Sequence, residues 1–119
     1  MYTISQIIAD INRGCAIHNM NEDCFSYRII YYVNGNGTSR KYCIDSTYDG
    51  LRKTLENIIR ENISLTNSVV LAAVTTLKNG KCVSLLSRSY GFSLEEYFMQ
   101  LTGKKRRRNN TCNRFINAV

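Results

Sequence analysis

The chain holds a single histidine and no proline among its 119 residues, and no acidic residue follows Glu96. One histidine removes most general acid–base schemes, because imidazole is the side chain that exchanges protons most readily near neutral pH. No apolar run approaches the roughly 20 residues that cross a bilayer. The longest, Val69 to Val74, is strand-sized. The opening residues lack a basic stretch followed by an apolar one, so no secretory signal is read. The expected location is intracellular and cytoplasmic, with the nucleus added in a eukaryotic host. No glycine-rich phosphate loop precedes a helix, since Asn34-Gly35-Asn36-Gly37 lies between two strand patterns. Among the metal-ligating residue types, only Cys15 and His18 have the spacing of a zinc-binding arm. Cys24 and Cys43 supply no second arm, so no metal and no cofactor are expected. Five cysteines are an odd number for a disulfide framework, and all five are read as reduced thiols. Together these absences argue against an enzyme.

The residues that are present describe one α+β domain. Thr3 and Gln6 form a capping box, after which Ile4, Ile7, Ile8 and Ile11 share one helical face up to an expected stop at Gly14. Phe25 to Val33 is aromatic and β-branched, with Phe25, Tyr27, Ile29, Tyr31 and Val33 alternating onto one face. The Asn-Gly repeat then turns the chain into a return strand, Arg40 to Asp45. A second unit follows the same plan. Ser46 and Asp49 suggest a capping box before Leu51, Leu55, Ile58 and Ile59, and Val69 to Leu77 turns at Asn79-Gly80 into Cys82 to Ser87. Ser93 and Glu96 open a last helix, Leu94 to Leu101. The expected order is α-ββ-α-ββ-α, a four-stranded antiparallel sheet of two hairpins packed against helices. Residues 1–102 form the domain and residues 103–119 a tail. The two units hint at an internal duplication.

The charge is not spread along the chain. Up to residue 102, ten Lys and Arg face nine acids; beyond it come Lys104, Lys105, Arg106, Arg107, Arg108 and Arg114 with no acid. Five adjacent cations repel one another, and a polyanion relieves that repulsion while releasing its own counterions. The tail is therefore expected to bind nucleic acid, DNA or RNA, through phosphate with little sequence preference. The alternative is a protein-interaction module, such as a viral or phage inhibitor or assembly factor, whose basic run is a docking or nuclear-import segment.

Two aromatic groups are candidate partner or stacking residues. Arg88-Ser89-Tyr90-Gly91-Phe92 matches four of the first five positions of the RNP1 pattern of RNA-recognition motifs. The match ends there, and Tyr90 and Phe92 are read as packing where a strand meets a helix, with base stacking beside Arg88 as the alternative. On the first hairpin, Tyr31 lies on one strand face and Tyr32 on the other. A strand apolar on both faces is either central in its sheet or covered by a partner, the simplest partner being a second copy of the chain.

Overall fold

The computed structural model describes residues 2–20 and 26–94. Its first helix, α1 (Ile4–Ile17), begins at the expected capping box: the Thr3 side chain accepts the Gln6 N–H at 3.1 Å, and Gln6 returns the contact to the Thr3 N–H at 2.8 Å. The helix does not stop at Gly14. It runs on to Ile17, and Gly14 is buried against the backbone of Leu85. A glycine wanted for close approach and one wanted as a helix stop look alike in sequence.

Strands β1 (Ser26–Gly35) and β2 (Thr38–Thr47) form a hairpin around Asn36-Gly37, both at positive φ (53° and 76°). That pair of positive values is the I′ geometry that Asn-Gly favours. The second helix, α2 (Leu51–Asn62), buries Leu51, Leu55, Ile58 and Ile59 as the periodicity implied. Its cap differs from the expectation at Ser46 and Asp49. Because β2 stays paired with β1 through Thr47, Ser46 belongs to the ladder, and Gly50 is the N-cap without any side-chain cap bond. A second Asn-Gly turn, Asn79-Gly80 (φ 52° and 78°), joins β3 (Asn67–Lys78) to β4 (Lys81–Ser84).

The sheet is antiparallel, in the order β2-β1-β3-β4, with β5 (Tyr90–Phe92) as an additional strand on β3. The chain thus departs from the expected return strand, Cys82 to Ser87, which is a strand only as far as Ser84, and adds β5 beyond it. It leaves β3 after Leu85, whose N–H reaches Val74 O at 2.8 Å, and rejoins it where Tyr90 pairs with Leu71. Leu94 is helical, and the rest of the expected last helix lies outside the described residues, as does the whole tail.

The helices lie on one face of the sheet. The core unites Ile4, Ile7 and Ile11 of α1, the α2 stripe, Tyr27 and Ile29 of β1, and Val69, Leu71 and Val74 of β3. Leu71 and Val74 are three apart, yet both face inward, because the β1–β3 register shifts by one at Ala72. Ile29 pairs with Val74, Ile30 with Ala73 and Tyr31 with Leu71, and the extra residue, Ala72, lies on β3 alone. Both halves run helix, strand, turn, strand, and their first strands pair antiparallel at the centre of the sheet.

Candidate functional site

The basic tail residues Lys104, Lys105, Arg106, Arg107, Arg108 and Arg114 fall outside the described residues. The other candidates do not share one surface. Tyr31 points to the helix side, where it is packed against the core and stacks on Tyr42 of β2 at 5.4 Å between ring centroids. Burial and the neighbouring Tyr42 raise its pKa, with Asn62 opposing through a hydrogen bond. Tyr32 lies on the opposite face, paired with Lys41 of β2 and Val70 of β3. Both faces of β1 are apolar because the strand is central in the sheet.

Tyr90 and Phe92 are buried in the core, at 4% and 3% exposure, so neither offers a ring face to a base. This agrees with their reading as packing residues. Arg88 is half of a different arrangement, its guanidinium 4.7 Å from the centre of the Tyr2 ring and 5.8 Å from that of Tyr90. It lids an aromatic pair that meets edge to face at 4.8 Å.

The densest polar cluster centres on Asp10, which sequence reasoning did not single out. The residue is 1% exposed. Oδ2 accepts the Ser87 N–H at 3.0 Å, the Ser87 hydroxyl at 2.9 Å and the Tyr90 hydroxyl at 2.7 Å, while Oδ1 meets Arg13 at 3.3 Å. The only sequence signal was a carboxylate on the apolar stripe of α1, between Ile7 and Ile11. Burial alone would raise the Asp10 pKa, but the hydrogen bonds from Tyr90 and Ser87, with help from Arg13, bring it below the ordinary carboxylate value. The same contact, added to burial, pushes Tyr90 up to about 12. A carboxylate so thoroughly satisfied is a poor proton carrier near neutral pH. It acts as a clamp, holding residues 87–90 to α1.

The clamp predicts a pH profile. A depressed acid contributes stability above its unfolded pKa, and that contribution falls away as pH drops below about 4. A raised tyrosine contributes below its unfolded value, and loses that contribution as pH climbs from about 10 to about 12. Urea denaturation between pH 3 and 11 should show stability falling on both limbs, and Tyr90→Phe should shrink the alkaline one to the share that Tyr31, also raised, contributes. An alkaline limb unchanged in that variant would assign it elsewhere.

Among the described residues no element covers the sheet face away from the helices. Across its centre run Ile30, Tyr32, Val70 and Ala73, flanked by Cys43 and by the Arg28–Asp45 ion pair at 3.0 Å. Among the described residues the strands carry Arg28, Arg40, Lys41, Lys78 and Lys81 against one acid, Asp45. A shallow depression elsewhere is lined by residues 64–68 with Ser93 and Leu94, none of them titratable. Among the described residues no group of three or more His, Cys, Asp and Glu converges as a metal site, and Cys15 is buried. No described helix is long and apolar enough to cross a membrane. No family model matches the chain, and no curated protein or solved structure matches it either.

Proposed function

We propose that the chain is a non-enzymatic nucleic-acid-binding accessory protein whose basic C-terminal segment grips the phosphate backbone. The observation that carries this reading is the segregation of charge: six cations and no acid follow Gly103. Lys104 to Arg108 form the main contact and Arg114 extends it. The basic excess on the described strands adds to the same field. Binding of this kind reads charge density and not sequence, so DNA and RNA are both substrates for it.

A second reading has one observation in its favour. Among the described residues, strand β2 is exposed along almost its whole length and pairs on one side only. An unpaired edge of this length suits a protein-interaction module, with the tail as docking or import segment.

A salt titration with random single- and double-stranded oligonucleotides separates the two. If all six tail cations meet phosphate, log K falls against log salt with a slope of about −4 to −5. Truncation after Thr102 should abolish that slope. No binding by the full chain at low salt would overturn the tail reading and leave the exposed edge as the functional surface.

A further inference from the structure

We propose that the chain forms a homodimer by antiparallel pairing of β2 with β2 of a second copy, on a twofold axis through Cys43. The inference does not rest on what the tail binds.

Among the described residues nothing pairs with the outer edge of β2. Sheet edges are usually blunted by shortness, proline, a bulge, cover or charged side chains, and of these β2 has only the charges Arg40, Lys41 and Asp45, the last two of opposite sign on one face. Here β2 is ten residues long, its pairing with β1 is regular, and the chain contains no proline. Its helix-side residues are also left uncovered: Tyr42 and Ile44 are 40% and 41% exposed, two of the large apolar side chains that the fold leaves in water.

Hydrogen-bond parity restricts the pairing. Counting from the bonded pair Gly35–Thr38 that closes the Asn36-Gly37 turn, bonded and non-bonded pairs alternate along the hairpin. The backbone groups of Ser39, Lys41, Cys43, Asp45 and Thr47 therefore point away from β1, toward the free edge. In a symmetric pairing these residues must face each other, so the axis passes through a residue and not between two.

Side chains then choose the residue. An axis at Lys41 or Asp45 sets like charges face to face, which is destabilising. An axis at Tyr42 or Ile44 leaves both charges without an opposite partner. An axis at Cys43 places Lys41 across from Asp45 of the second copy, twice by symmetry, on the open face. On the helix side it places Tyr42 across from Ile44, again twice, so the exposed apolar pair covers itself. Ser39 meets Thr47, and the strand pairs from Ser39 to Thr47. Only this register satisfies charge, apolar cover and backbone together. Asp45 already holds Arg28 at 3.0 Å, so its carboxylate is oriented on the face where the second copy's lysine arrives.

The consequence is one continuous sheet with both helix layers on the same side. Two basic tails are then carried by one body, and any polyanion meets them as a linked pair.

Sedimentation of the nuclease-treated full chain decides the point. The expected result is a dimer at about 100 µM, a concentration at which even a weak interface is populated. Lys41→Asp and Asp45→Lys should each weaken it by roughly tenfold, since each sets like charges opposite one another at both symmetric positions. The combined swap, Lys41→Asp with Asp45→Lys, should restore it when Arg28→Gln removes the like-charge contact that Asp45→Lys otherwise sets within each copy. A second measurement needs no substitution. Diamide, taking two electrons and two protons from a pair of thiols, should join Cys43 to Cys43, because bonded antiparallel neighbours lie about 5.5 Å apart at Cα. A monomer at that concentration, a swap that with Arg28→Gln in place fails to restore the dimer, or oxidised dimers lacking the Cys43 link would each overturn the proposal.

Discussion

Asp10→Ala is expected to lower the stability of the domain by about 3 kcal/mol, the cost typical of removing one member of a buried charged network. The substitution takes away the acceptor shared by the Ser87 N–H, the Ser87 hydroxyl and the Tyr90 hydroxyl. Tyr90 is 4% exposed, so its hydroxyl would be left without a partner in the interior, and an unsatisfied buried donor costs about 1–3 kcal/mol. For a domain of this size the melting temperature should fall by roughly 10–15 °C. Asp10→Asn keeps an oxygen where Oδ2 stands and loses only the charge and the contact to exposed Arg13, so about 1 kcal/mol is expected. Thermal denaturation of the two variants checks the ordering. If alanine cost no more than asparagine, the convergence on Oδ2 would have no energetic role.

The same cluster shows where the sequence was legible and where it was not. Local signals worked. The Thr3–Gln6 box, the α2 stripe and the two Asn-Gly turns each lie within a few residues, and all appear in the structure. What escaped was set by partners far along the chain. Asp10 acquires its role from Ser87 and Tyr90, and nothing near Asp10 announces them. The split between β4 and β5 has the same origin, because the segment that leaves the sheet is the one drawn to α1. Ser46 and Asp49 fitted a capping pattern, but pairing with β1 held the strand through Thr47 and overrode it. The alternation of Tyr31 and Tyr32 was readable, since period two needs no distant partner. Which of the two faced the helices was not, because both faces of β1 are apolar. The basic run from Lys104 to Arg108 is a matter of composition and needs no fold to be seen.

Gly14→Ala should be as damaging as Asp10→Ala, against the direction that helix propensity predicts. Inside a helix, alanine is favoured over glycine by about 1 kcal/mol. At this position a Cβ would meet Leu85 O at 2.2 Å, Leu85 Cα at 2.7 Å and Leu85 C at 2.8 Å. All three are backbone atoms, and the Leu85 N–H is tied to Val74 O at 2.8 Å, so no side chain can swing aside. Relief requires α1 and the 85–90 segment to move apart, and a clash against backbone puts the overpacking cost at or above the top of the usual range, about 3–4 kcal/mol before the ~1 kcal/mol alanine gain is subtracted. The net expected loss is about 2–3 kcal/mol, read by urea denaturation. Gly37→Ala is the comparison: nothing lies within 4 Å, so it should lose only about 1 kcal/mol for its positive φ. Gly14 and Asp10 lie one turn apart on α1 and hold the same segment. Once α1 has withdrawn from Leu85, the bonds from Ser87 and Tyr90 to Asp10 are already weakened. The double variant should therefore lose less than the sum of the two single losses, by more than the ~0.5 kcal/mol scatter of independent sites. Simple additivity would mean that the glycine contact and the carboxylate clamp hold the segment independently.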